Sequence, residues 1–148
     1  MREDIINFIN RCVLFDECPI IDGIIYKYDD KSDSIIAIAL EHDSINFQDR
    51  ILNIPDFCDE LNFDYTLSTV SILSIIKELN CNSVRKIIIN EGITLNDCEV
   101  LKANNIINIK NIDLNSFKNL KYLELNGLLE LNKEINLVGR KGKNLWSK

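Results

Sequence analysis

The stretch IIDGIIYKYDDKSDSIIAIALE, residues 20–41, decides the architecture. Its two β-rich runs, 20–28 and 34–41, flank Asp29-Asp30-Lys31-Ser32-Asp33, turn chemistry of hairpin length, so they are expected to pair antiparallel. The second run is apolar on both faces, which predicts a strand inside the sheet and not at its edge. Upstream, Ile5, Ile9, Cys12 and Val13 recur at helical spacing behind acidic residues that suit a helix N-terminus, so a helix is expected over 3–14. Downstream, residues 51–54 form a short third strand that could join the hairpin.

Past Pro55, Asp56 is a good cap, and Phe57, Cys58 and Leu61 recur at helical spacing, which predicts a short helix reaching Phe63. A longer helix is expected over 67–79, capped by Thr66 or Ser68 and stopped by Asn80. Residues 85–90 read as a strand, and Thr94-Leu-Asn-Asp97 as a capping box that opens a helix over 98–103. From Val84 onward a token repeats: Val84-x-x-Ile87-x-Ile89 and Leu120-x-x-Leu123-x-Leu125, with looser copies at Ala103-x-x-Ile106-x-x-Ile109 and Asn132-x-x-Ile135-x-Leu137.

This half resembles the leucine-rich-repeat family. The phrases Lys86-Ile-Ile-Ile-Asn-Glu-Gly-Ile93 and Asn119-Leu-Lys-Tyr-Leu-Glu-Leu-Asn-Gly127 look like its short-period bacterial members, and Ile51-Leu-Asn-Ile-Pro-Asp-Phe57 is similar to another fragment of that type. The tokens start at 84, 103, 120 and 132, intervals of 19, 17 and 12 residues, at or below the family period of about 20. The positions of the family's inward asparagine fall on Gly92 and Leu128. The resemblance implies parallel strands and a protein-binding role. The expected fold is therefore α/β: an N-terminal helix and antiparallel hairpin, followed by a short leucine-rich-repeat-like strand/helix solenoid with strands near 86–90, 106–109, 121–125 and 135–138.

With 148 residues, 46% hydrophobic and 27% charged, the chain is sized for a single domain over 1–148. Five Gly and two Pro exclude collagen-like and linker-like compositions. No apolar run approaches the length of a bilayer span, and the charged start MREDIINFIN lacks the apolar core of a signal peptide, so a cytoplasmic protein is expected. The five cysteines, Cys12, Cys18, Cys58, Cys81 and Cys98, are odd in number and lack metal spacing, which suits reduced thiols better than a disulfide framework.

The net charge of −6 is unevenly distributed. The acidic α+β part, 1–64, carries 15 acids against 5 bases; residues 65–117 carry 5 of each; residues 118–148, which include the end of the repeat-like part 84–138 and the basic tail 139–148, carry 3 against 7. Nucleic-acid binding needs a dense cationic surface and is not expected, nor is a membrane. Arg140-Lys-Gly-Lys143 with Trp146 reads as a charged tail and not as a clamp on single strands.

Chemistry-bearing residues are sparse. The one histidine, in Glu41-His42-Asp43, reads as an exposed loop residue because no nucleophile accompanies it. Cys58 and Cys98 read as small buried hydrophobes. Asp29, Asp30 and Asp33 lack the mid-loop Gly and the closing Glu of a calcium loop, so no metal or other cofactor is expected. An enzyme, thiol-dependent through Cys58 or Cys98, is the least favoured class. An acidic, single-domain chain without a catalytic constellation fits an immunity protein that neutralises a basic, nuclease-type bacterial toxin by direct binding, and that is monomeric on its own. The alternative is a leucine-rich-repeat-like adaptor for another cellular protein. The expected contact residues are Asp29, Asp30, Asp33, Glu41, Asp43 and Asp49, with Tyr26 and Tyr28 as aromatic anchors beside them.

Overall fold

The structure, a computed structural model, describes residues 3–105 and 116–124. It opens with α1 (Glu3–Phe15), which lays Ile5 into the core and leaves Val13, Leu14 and Phe15 in solvent. Three strands follow: β1 (Ile20–Ile21), β2 (Ile24–Asp29) and β3 (Ser34–Leu40), with β2 antiparallel to both neighbours. The β1–β2 turn is the dipeptide Asp22-Gly23, with φ of 50° and 79°, the left-handed pair that a two-residue hairpin of the right twist demands. A Cβ on Gly23 would overlap the backbone of Asp43 and Ser44, so glycine is required twice over. The β2–β3 hairpin forms as its sequence predicts, with a bulge between Ile25 and Tyr26.

β3 is a central strand. All of its residues are buried except Ile38, which is partly so. One edge meets β2; the other runs parallel to β5 (Glu60–Asn62), through Ile36 opposite Glu60 and Ala37 opposite Leu61. Past that contact the backbone of Leu40 finds its partners on α2 (Leu67–Ile75): its amide donates to the Thr69 hydroxyl at 2.8 Å, and its carbonyl accepts from Ser68 at 2.7 Å. Thr66 caps the helix by accepting from the Thr69 amide. Thr69 is thus a buried polar residue with its hydrogen bonds made, as burial requires.

Beyond β3 the chain alternates between two sheets. β4 (Ile51–Asn53), β6 (Glu78–Asn80), β8 (Val100–Lys102) and β9 (Tyr122–Glu124) form one wholly parallel sheet; β5 and β7 (Lys86–Ile88) extend the hairpin's sheet in the order β1-β2-β3-β5-β7. Each of these short strands points its middle residue inward. Leu52, Leu79, Leu101 and Leu123 lie in register across the parallel sheet and are 0% exposed; Ala37, Leu61 and Ile87 do the same in the mixed sheet. Both ladders belong to one continuous core, which also takes in Cys58, Cys81, Cys98, Phe63 and Phe117.

This architecture corrects the solenoid expected from the repeated token. Lys86–Ile88 and Tyr122–Glu124 stand in separate sheets, so among the described residues the fold is mixed α/β with two α-helices, one mixed sheet and one parallel sheet. The token marks apolar-in, polar-out alternation, which any strand with one buried face shows. Four further assignments change for the same reason. Residues 51–54 do not join the hairpin, because Leu52 pairs with Leu79. The helices expected over 56–63 and 98–103 are turns followed by strands, with Leu61 and Leu101 taken into the ladders. The helix expected to reach Leu79 stops at Ile75: Ile76 is extended, with ψ 145°, and Leu79 enters β6. The strands expected near 106–109 and 135–138, and the basic tail 139–148, lie outside the described residues.

Removing a ladder side chain leaves a cavity that the flanking strands cannot close, so Leu79→Ala is expected to lower the unfolding free energy by about 3 kcal/mol. Leu67→Ala, at a position 88% exposed, should change it by less than about 0.5 kcal/mol. Gly23→Ala should cost about 2 kcal/mol through backbone strain and overlap. Urea denaturation of the three variants checks this, and a cost below about 1 kcal/mol for Leu79→Ala would contradict the ladder.

Candidate partner-binding surface

The hairpin sorts its side chains by alternation along β2. Ile24 and Tyr26 face the core, Tyr28 lies half-buried on the same side and packs against it, and Lys27 faces solvent. Tyr26 therefore does not stand beside the acids as a contact residue. It is 2% exposed, packs its ring 5.2 Å from that of Phe57, and buries a hydroxyl that has no hydrogen-bond partner among the described residues. Burial, then the neighbouring Cys58 and Asp22, raises its phenol far above the ordinary range.

Tyr28 is placed as expected, at the turn. Its hydroxyl donates to Asp33 Oδ1 at 2.5 Å, and Asp33 holds a left-handed φ of 51°. Asp29 organises the same turn: Oδ1 accepts from the Lys31 amide at 3.1 Å and Oδ2 from the Ser32 hydroxyl at 2.9 Å, an Asx-type arrangement. These bonds hold the Asp29 carboxyl below its usual range, so their support of the turn is present above the ordinary carboxylate pKa and is lost as pH falls through the lowered value. Asp30 is exposed and makes no side-chain bond among the described residues.

The six acids do not form one lip. Asp29, Asp30 and Asp33 sit at the turn end of the hairpin, whereas Glu41 and Asp43 follow the far end of β3, seven residues or about 20 Å away. There they lie beside the β1–β2 turn, where Gly23 meets Asp43 and the Glu41 amide donates to the Gly23 carbonyl. Asp49 is exposed in the loop that leads into β4. The second pole instead has Asp22 next to it, a residue that the sequence reading passed over although Asp-Gly is a hairpin signal.

A larger concavity lies beside that turn. Ile5, Ile21, Pro55 and Phe57 form its apolar wall and Asp22, Asp56 and Asp59 its polar rim, around a volume of about 630 Å³. Asp59 is engaged: it accepts from the Ile35 amide at 2.9 Å and faces Arg85 at 3.8 Å. Asp22 and Asp56 have no cation beside them among the described residues. No local pattern joins positions 22, 56 and 59; the packing of α1, β1 and the 55–59 turn brings them together.

Charge is balanced differently on the parallel sheet. Glu78 on β6 faces Lys102 on the neighbouring β8 at 4.0 Å, and the residues that lead into its strands pair as well, Glu99 with Lys121 at 3.7 Å and Arg50 with Asp97 at 3.5 Å. Asn80 donates to Asn53 and Glu78, and Asn104 to Asn82 and Glu124, which extends the rungs. In residues 1–64, by contrast, Glu17 and Asp59 are the acids with an ion pair among the described residues.

The other candidate chemistry stays apart. His42 is exposed and packs against Phe47, with ring centroids 5.9 Å apart. Cys58, Cys81 and Cys98 are 0% exposed; burial pushes the thiols of Cys58 and Cys98 up to about 12 and that of Cys81 higher still. Among the described residues no group of three or more His, Cys, Asp or Glu is arranged to hold a metal ion, and no helix is long and apolar enough to cross a membrane. Comparison of the chain with protein-family models, with curated proteins and with solved structures finds no match.

The Tyr28–Asp33 bond has a measurable consequence. The carboxylate beside it raises the Tyr28 phenol from 10.0 to about 12, so the turn loses this support as pH rises from about 10 to about 12. In an ultraviolet pH titration, Asp33→Asn should return one tyrosine to an ordinary midpoint near 10. An unchanged titration curve would show that the bond does not persist in solution.

Proposed function

We propose that the protein is a binding protein for a basic protein partner, and specifically an immunity protein that neutralises a nuclease-type bacterial toxin by direct contact in the cytoplasm. The observation that carries this reading is the uncompensated negative charge of residues 1–64. Asp22, Asp30, Glu41, Asp43, Asp49, Asp56 and Asp64 are exposed and have no ion pair among the described residues, whereas Glu78, Glu99 and Asp97 around the parallel sheet each meet a cation. A nuclease must carry cations to hold its substrate. A surface of unpaired carboxylates competes for those cations and accelerates encounter, and this steering weakens as salt screens it beyond about 8 Å.

The structure also selects the variants that test the idea. Asp29 and Asp33 support the turn and are poor choices; Asp30, Glu41, Asp43 and Asp49 carry charge without holding the fold. Capture of partners from the native host, identified by mass spectrometry, should return a basic protein whose nuclease activity the purified chain inhibits. Reversal of Glu41, Asp43 and Asp49 to Lys together should then slow association with that protein about tenfold and flatten its salt dependence, with the urea midpoint unchanged. An acidic or neutral partner, or an association rate unaltered by the triple reversal, would overturn the proposal.

A further inference from the structure

Two cysteines stand outside the core, Cys12 near the end of α1 and Cys18 in the segment just beyond it. Cys12 lies on the last turns of the helix, and Asp16, just past its end, has a left-handed φ of 52°, the conformation that stops a helix and turns the chain back on it. Glu17 returns to the flank of α1 beside residue 11, where its carboxylate meets the Arg11 guanidinium at 3.0 Å. Pro19 and Cys12 then line the same narrow cleft, with Ile9, Ile21 and Tyr28. Burial, followed by the adjoining Cys18 and Glu17, pushes the Cys12 thiol up, which records the same proximity.

From this juxtaposition we infer that Cys12 and Cys18 form a dithiol modification site, which a small-molecule disulfide converts into an intramolecular Cys12–Cys18 bond. The exposed Cys18 reacts first. Its thiolate attacks one sulfur of the oxidant, forms a mixed disulfide and expels one thiol; Cys12 then attacks the Cys18 sulfur and expels the second. Two electrons pass from the cysteine pair to the oxidant, and the two thiol protons go to the two thiols released. The remaining cysteines are excluded because Cys58, Cys81 and Cys98 are sealed in the core. The new bond ties the end of α1, where Val13, Leu14 and Phe15 are exposed, to the segment that leads into β1.

Oxidised glutathione is the probe. The reduced full chain is incubated with it, unfolded in iodoacetamide and digested with trypsin, which releases both cysteines in the single peptide 12–27. That peptide is expected two hydrogens lighter and without alkylation, so two of the five thiols are lost to the reagent and the other three are alkylated. Cys12→Ser should instead stop at one glutathione held on Cys18. Wild-type peptide that retains glutathione, that is alkylated at both cysteines, or that is linked to Cys58, Cys81, Cys98 or a second chain would overturn the inference.

Discussion

Burial of β3 is the constraint on which the rest of the molecule depends. A strand that is apolar on both faces has to be covered on both faces and paired on both edges, since every backbone group left dry and unpaired costs about as much as a lost hydrogen bond. β2 satisfies one edge, β5 part of the other, and the N-terminus of α2 the remainder through Thr69 and Ser68. Covalent continuity gives β2 its antiparallel direction. The parallel direction of β5 follows from the long excursion through the 3₁₀ turn at His42–Ser44 and strand β4.

Once β5 lies parallel to β3, the rest of the described chain is built from short strands that each supply one inward residue. Three residues per strand is too little for independent stability. The ladders compensate by register: Leu52, Leu79, Leu101 and Leu123 bury one another, and the mixed sheet contributes Leu61 and Ile87 to the same core. Cysteine fits such a core where a larger side chain would not. The Cys58 and Cys98 sulfurs lie within 3.3 Å of the carbonyls of Glu60 and Val100, and that of Cys81 within 3.4 Å of the Lys102 carbonyl. Solvent is kept from all three thiols, which separates them chemically from Cys12 and Cys18 at the molecular surface.

The division of labour between the two halves follows from the same geometry. Parallel strands in register place outward side chains in rows, so oppositely charged residues on neighbouring strands meet and neutralise each other. The hairpin half has few cations, and its exposed carboxylates face water. Some of those carboxylates hold their own turns, as Asp29 and Asp33 do. Asp59 and Glu17 are engaged as well, but Asp22, Asp30, Glu41, Asp43, Asp49, Asp56 and Asp64 make no ion pair among the described residues, which is the reason for proposing a partner for them.

Local sequence determined the elements whose signals are local. α1, the β2–β3 hairpin, the interior placement of β3, the Thr66 cap and the strand at 86–88 could all be read from spacing, turn residues and alternation. The Asp22-Gly23 turn carries an equally local signal, yet residues 20–28 read as one run where the structure has two strands. Tertiary structure alone decided between helix and strand at 56–63, 76–80 and 98–103. Leu61, Leu79 and Leu101 fit either period over so few residues, and the partner that settles the matter lies about 20 to 30 positions away in the chain. For the candidate surface the division is the same. Charge count in residues 1–64 is a property of sequence, but the separation of Asp30 from Glu41, the burial of Tyr26 and the gathering of Asp22, Asp56 and Asp59 around one concavity depend on which faces the two sheets cover. A strand's outward and inward residues are interchangeable in sequence until its register is set, and register is a long-range property.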